Sequence, residues 1–465
     1  MATKTDLERA FDTLRAKQEP LTKLWNYYDG DQPLKYSTER LRSAFQNINA
    51  RFNQNWCAVV VDSVSDRLSF KGFEITDNQA AADMLNAVFN SQRISTDIYD
   101  AHEAALVCGE SYVITWVDEN GMVEAFYNDP RMVHLFYEMD NPKVKEYAAK
   151  WWHDDDGRWK MNLYYLDRIE HYETRVMQDA PTESKSFSPS DPDHESNEFG
   201  IIPVFHLRIS RRKVKSELTN VITLQDAVNK LLADMMVAAE FGAFKQRWII
   251  SNSDTKDLKN APGNIWSLPA SDSDGQGTQV GEFNETNLDM YLNSIDKLVN
   301  SIAIITRTPK HYFMSTGANV SGDALIALES PLVRKVKRYA DIFDDTWVEM
   351  ARFLLDLLGQ DQIMPDQIKP VWGVVVSIQP QAEAATRESA IRAGLPLVTQ
   401  LRREGWTQKD IEQMQEDKLA EQATAQATLA KALLSAEREF NRGEAEAARR
   451  ALAEAETLAE SEGNR

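Results

Sequence analysis

The sequence predicts an α+β fold in which helices dominate, and three patterns predict it. Long stretches carry apolar residues at a period near 3.6, as in Leu288, Tyr291, Ile295, Leu298, Ile302 and Ile305. Between 111 and 166, short segments rich in Val, Tyr and Trp are separated by turn signals such as Asn141-Pro142 and His153-Asp154-Asp155-Asp156-Gly157. That block reads as an antiparallel meander packed on helices.

Taken in order, residues 5–28 form an amphipathic helix with Leu7, Phe11, Leu14, Leu21 and Leu24 on one face. A second helix covers about 53–68 (Trp56, Val60, Val61, Val64, Leu68), a third 80–90 and a fourth 94–108. Ser111–Val117 and Met122–Tyr127 flank the hairpin turn Asp118-Glu119-Asn120-Gly121. Further strands are expected near 132–138, 145–152 and 160–166. Residues 178–199, rich in Ser, Pro, Asp and Glu, predict an exposed loop.

Past Gly200-Ile201-Ile202-Pro203 the pattern becomes helical. Ser216 is a candidate N-cap for a helix carrying Leu218, Val221, Ile222, Val228, Leu232, Met235 and Ala239. Trp248–Ser251 is strand-like, 252–285 is polar, and a second long helix stops before Pro309. Two helices therefore bracket a small β-rich insertion. Ser321 can cap a helix over 322–358 in which Pro331 predicts a kink, and Ile368–Ile378 contains a strand. From about 381 the chain is Ala/Glu/Gln/Arg-rich helix, with a break expected at Gly443.

The 465 residues predict two to four structural units. Apolar residues make up 43% and charged residues 27%, ordinary for a folded protein. Lys and Arg total 52 against 72 Asp and Glu, a formal charge of −20, which excludes a generally basic nucleic-acid binder. Cys57 and Cys108 lie in apolar helical segments and predict buried free thiols in a reducing compartment. The N-terminus has no apolar signal core, and no run approaches the roughly 18 apolar residues of a membrane span. The chain is expected to be made in a cytoplasm and kept there or packaged from it.

No enzyme declares itself. His102-Glu103-Ala104-Ala105-Leu106 begins like a zinc-protease helix but lacks the second His. Gly275-Gln276-Gly277-Thr278-Gln279-Val280-Gly281 has one residue too many for a dinucleotide fingerprint, and no phosphate-loop signature is present. No catalytic, metal or cofactor-binding residue is therefore assigned. Asp154-Asp155-Asp156 reads more simply as a solvated hairpin tip than as a cation site.

Two basic clusters stand out: Arg208, Arg211, Arg212, Lys213 and Lys215 before the first long helix, and Arg334, Lys335, Lys337 and Arg338 within the later one. Phosphate contact needs only cationic side chains, so Arg211, Arg212, Lys213, Lys215, Arg334, Lys335, Lys337 and Arg338 are candidate DNA-backbone contacts. The alternatives are a solvated face or salt bridges to neighbouring subunits.

A series of short motifs then carries a resemblance. It starts with Tyr27-Tyr28-Asp29-Gly30-Asp31-Gln32-Pro33-Leu34 and Asn55-Trp56-Cys57-Ala58-Val59-Val60-Val61-Asp62, leading into Asp66-Arg67-Leu68 and Gly72-Phe73. Gly109-Glu110-Ser111-Tyr112-Val113, Asp129-Pro130-Arg131, Gly200-Ile201-Ile202-Pro203-Val204 and Ser321-Gly322-Asp323-Ala324-Leu325 follow. In this order and spacing, over roughly 20–410, the chain resembles the head portal proteins of siphophage-type tailed bacteriophages.

The resemblance implies a ring of about twelve subunits at one capsid vertex, a conduit for double-stranded DNA during packaging and ejection. It implies a wing at 1–215 and 309–378, stem helices at 216–245 and 287–308, a clip at 246–286 and a crown with a C-terminal helical tail at 379–465. The loop near 312–322 would be the tunnel loop, with Met314, Ser315, Thr316, Gly317, Ala318, Asn319 and Val320 as candidate channel residues. Ile265 and Trp266 are candidate clip contacts, or local core.

Implied partners are the large terminase, the major capsid and scaffolding proteins, and head-completion or adaptor proteins, with no membrane and no cofactor. The implied location is the virion, with the host cytoplasm during assembly. About twelve copies would carry a formal charge near −240, so phosphate should slide through rather than stick. The alternatives are another helix-rich virion assembly protein, a scaffold or minor head component, and then a hydrolase using Asp/Glu pairs.

Overall fold

The computed structural model describes residues 5–32, 54–91, 94–117, 122–175, 180–243, 247–250, 279–282, 287–313, 322–373, 387–403, 406 and 408–462. The chain divides into two units, Met1–Pro380 and Gln381–Arg465.

In the first unit, helix α1 (Asp6–Tyr28) starts at a capping box. The Thr5 side chain accepts from Glu8 N–H, and the Glu8 carboxylate accepts from Thr5 N–H. Its apolar stripe is shared between two cores. Ala10, Phe11 and Leu14 pack on a five-stranded antiparallel sheet, against Tyr147, Trp151, Met161 and Leu163, while Leu21 and Tyr27 enter the main helical core.

The sheet runs in order β4 (Val133–Tyr137), β5 (Lys145–His153), β6 (Trp159–Tyr164), β7 (Arg168–Thr174), β8 (Phe187–Ser196). The meander expected from the sequence is therefore real, but a second sheet lies beside it: β3 (Val123–Asn128), β2 (Glu110–Val117), β9 (Val204–Arg208). Tyr112, Ile114 and Val204 of this sheet meet Val133, Leu135, Ala148 and Ile169 of the first.

Part of the stretch expected as an exposed loop is β8. Among the described residues it pairs with β7 alone, at the edge of the sheet, a position in which prolines such as Pro189 and Pro192 are tolerated. Its polar composition reflects an edge strand exposed along most of its length.

Helices α2 (Trp56–Ser65), α3 (Gln79–Ser91) and α4 (Ile94–Cys108) surround the main core, which is closed by α6 (Asp289–Thr306) and α7 (Gly322–Leu357). Between α4 and α6 along the chain runs α5 (Ile222–Ala243), packed on α6. Strands β10 (Arg247–Ile250) and β11 (Gln279–Glu282) pair antiparallel between those two helices, so the helix–β–helix pattern is present. The α7 helix continues through Pro331. The expected cap Ser321 lies outside the described residues.

Strand β1 (Phe70–Ile75) pairs with β12 (Ile368–Trp372), bringing Phe70 against Trp372 and Trp347. Both cysteines are buried and free, and burial pushes the Cys57 thiol up to about 12. No helix among the described residues is long and apolar enough to cross a membrane.

The second unit contains α8 (Leu397–Arg403) and α9 (Gln408–Glu462). The break expected at Gly443 does not occur, because α9 runs through it. One helical glycine costs only about 1 kcal/mol, and the Ala, Glu and Arg around it are strong helix formers.

Buried imidazoles couple this fold to pH. His102 stacks on Phe343 (centroids 4.8 Å apart) and its Nε2 accepts from Trp347 Nε1 (3.1 Å). Burial pulls His102 and His134 down to about 3 and His206 to about 4. The unfolded chain, with imidazoles near 6.5, binds more protons below that pH, so stability is full above about pH 6.5 and falls as acid is added. Three such groups predict a loss of up to about 4 kcal/mol per pH unit near pH 5. Denaturant titrations at pH 7, 6 and 5 check this, and a flat profile would contradict it.

Candidate functional site

The connector after β9 turns back toward α5, and local sequence fixes its path. Ile209 N–H donates to the Gly109 carbonyl (3.4 Å), and Ser216 Oγ accepts from Leu218 N–H (2.9 Å) to start the turn Glu217–Asn220. Gly109 has φ +89°, and a Cβ there would lie 2.8 Å from the Lys215 carbonyl carbon. Gly109→Ala is therefore expected to cost about 1–2 kcal/mol in backbone strain alone, and more through the displaced connector. A melting curve checks the first effect, and amide exchange over 209–217 checks the second.

This connector meets two other elements. Helix α6 ends at Arg307, whose left-handed φ of 59° turns the chain into Thr308-Pro309. Lys335, Arg338 and Tyr339 share one face of α7, at the spacing that stacks side chains on successive turns. Together they line a cleft of about 280 Å³ that includes Arg212, Lys213, Lys215, Glu217, Arg307, Lys335, Arg338 and Tyr339. Two basic clusters that lie more than 100 residues apart in the sequence thus face one cavity.

Lys335, a candidate phosphate contact by sequence, is buried. Its ammonium donates to Glu217 Oε2 (3.0 Å) and to the Thr306 carbonyl (2.8 Å). The Tyr339 hydroxyl donates to Glu217 Oε1, and burial together with that carboxylate raises the phenol. This pair is the neutralised floor of the cleft. The exposed Arg212, Lys213, Lys215, Arg307 and Arg338 form its rim, and none has an ion-pair partner among the described residues.

The other candidates lie elsewhere. Arg211 pairs with Asp345, Arg334 donates to Ser330 Oγ (3.0 Å), and Lys337 is exposed. Met314–Val320, Ile265 and Trp266 lie outside the described residues. Arg307, Glu217 and Tyr339 were not legible as site residues, although a lone Arg at a helix end before Thr-Pro is a signal that could have flagged Arg307.

A second cluster holds the described ends flanking 314–321. Glu329 of α7 accepts from Arg67 Nη2 (2.6 Å) and from the Tyr312 hydroxyl (2.9 Å), and lies 3.1 Å from His311 Nε2. Phe313 packs on Trp56 with centroids 5.5 Å apart.

A third is buried in the β-rich part, around Glu110. Its carboxylate lies 2.5 Å from Lys17 Nζ and 3.0 Å from His206 Nε2, and accepts from the Tyr112 hydroxyl (3.1 Å). Against the cost of burial, Lys17 and His206 hold this carboxyl well below its usual range. Among the described residues, no three His, Cys, Asp or Glu side chains are gathered as a metal site would require.

The chain is 23% identical over 337 residues to the portal protein of Mycobacterium phage D29, covering 67% of each chain. It is 26% identical over 189 residues to that of Mycobacterium phage L5, covering 37% of this chain and 38% of the relative. A chain from the virion of a native gene transfer agent particle aligns with a TM-score of 0.41 at 11% identity, covering 77% of this chain and 90% of the other. The family model described as "Phage portal protein, SPP1 Gp6-like" matches residues 13–426. The chain belongs to this SPP1 Gp6-like family of phage portal proteins.

Proposed function

We propose that this portal protein closes into a ring of about twelve copies at one capsid vertex and conducts double-stranded DNA inward during packaging and outward at ejection. The observation that carries the reading is the pair of helices α5 and α6 with strands β10 and β11 between them. Met236, Ile250, Val280, Met290, Leu292 and Ile304 are exposed along this hairpin. Apolar side chains left uncovered in such numbers mark an association surface, and neighbouring copies in a ring would cover them.

In this reading the hairpin is the stem, with the clip at 246–286. The clip, including Ile265 and Trp266, would meet the large terminase and later the head-completion proteins. Residues 314–320 would line the channel, and 379–465 would form the crown and tail. The exposed Arg334 and Lys337 remain candidates for passing contact with DNA phosphates. The surplus of acid over base in every copy would keep such contacts weak.

Packaging tests the reading. Heads assembled with the chain and supplied with a packaging motor should protect DNA from nuclease, and heads assembled without it should not. Equal protection in both would overturn it.

A further inference from the structure

The rim of the basic cleft holds five cations, Arg212, Lys213, Lys215, Arg307 and Arg338, in a chain of net charge −20. The floor contributes little to the field, because Lys335 is spent on Glu217 and the Thr306 carbonyl. Like charges crowded around one concavity repel one another, and an anion that enters relieves that repulsion while gaining charge-assisted hydrogen bonds.

Shape selects among anions. The cavity, about 280 Å³, has room for a few side-chain carboxylates. A stiff duplex presents its phosphates on a convex surface and would meet the rim cations without filling the cavity, whereas carboxylate side chains can enter between them.

We propose that the cleft receives an acidic surface segment of a second copy of this chain, an inference that rests on the ring reading above. Charge complementarity supports that occupant. Each copy carries 72 acidic residues against 52 basic ones, so a neighbour presents carboxylates in excess to a local patch of opposite sign. Rings close through heterologous contacts, in which one face of each copy meets a different face of the next. A basic cleft set in an acidic chain is suited to be one of those two faces, and rim-type charge pairs fix register and partner choice more than raw affinity.

The test uses full-length chain. Unlabelled and heavy-isotope-labelled copies are mixed, assembled and treated with a carbodiimide, which joins an amine to a carboxylate only when the two touch. Mass spectrometry should find mixed-isotope links from Lys213 or Lys215 to an Asp or Glu of another copy. The Lys335–Glu217 link within one copy, at 3.0 Å, reports that the cleft is folded. Charge reversal by R212E together with R338E should lower assembly by at least about tenfold while leaving that internal link in place.

Assembled rings in which Lys213 and Lys215 link only within their own copy would overturn the proposal and leave the ring reading intact. Assembly indifferent to R212E/R338E would do the same. Failure of the unmodified chain to form rings in the presence of assembling heads would overturn both. Salt-sensitive duplex binding that is lost in R212E/R338E, with no cross-copy link, would assign the cleft to nucleic acid instead.

Discussion

Replacing Glu110 by alanine is expected to lower the unfolding free energy by about 3–5 kcal/mol, the scale for removing one partner of a buried ion pair. Among the described residues Glu110 is the single carboxylate beside Lys17, His206, Tyr112 and His134, and it is only 3% exposed. Its loss would strand the Lys17 ammonium, which among the described residues otherwise meets the Tyr112 hydroxyl (3.3 Å) and His134 Nδ1 (2.7 Å). His206 would lose the acceptor for Nε2–H, while Nδ1 keeps the Tyr137 hydroxyl at 3.1 Å. The effect should therefore exceed that of an exposed pair such as Arg9–Glu146, for which about 0–1 kcal/mol is expected.

The double change K17M/E110Q should recover part of the loss, because it removes the stranded charge. The pH dependence has a definite sign. A carboxyl held low in the folded chain stabilises above its unfolded value near 4.3, and the contribution is lost as pH falls. Denaturant titration at pH 7 measures the difference, and a change below about 1 kcal/mol would place the network at the surface-pair level.

Glu329→Ala is the second large effect, again about 3–5 kcal/mol. Glu329 is 7% exposed and gathers Arg67, His311 and Tyr312. Among the described residues Arg67 Nε and His311 Nδ1 are buried and already lack a partner, so little compensation is at hand. Because His311 and Tyr312 follow α6 and Glu329 lies in α7, the loss should also loosen how 309–313 sits against Arg67. Faster amide exchange at Tyr312 and Phe313, whose N–H groups bond to the Pro309 and Lys310 carbonyls, is the specific readout. Glu329→Gln should fall between the two, since an amide oxygen can still accept but brings no charge. A protein equally stable with alanine there would show that the cluster does not hold these elements together.

Helices were the legible part of this fold. Apolar residues at i, i+3 and i+4 announce α1, α6 and α7 because each buries one stripe against a core. The short β1 and β12 were not resolved as partners, since their pairing joins residues about 300 positions apart and leaves no local trace. β8 looked like a loop because an edge strand exposed on most of its length carries loop-like composition. The Gly443 expectation gave one residue more weight than its helix-forming neighbours allow.

The two basic clusters could each be read from composition. Their meeting in one cleft could not, because it depends on how α7 packs beside the connector. The same packing decided that Lys335 is internal while Arg338, one turn on, is exposed. Glu217 and Glu110 were equally silent in sequence, as a carboxylate's partners are set by the fold.

The most direct measurement is the mass of the purified full-length chain in solution, with electron microscopy of the same sample. Closed rings of about twelve copies with a central hole are the expected result. A particle that stays non-ring even when head assembly is under way would contradict it.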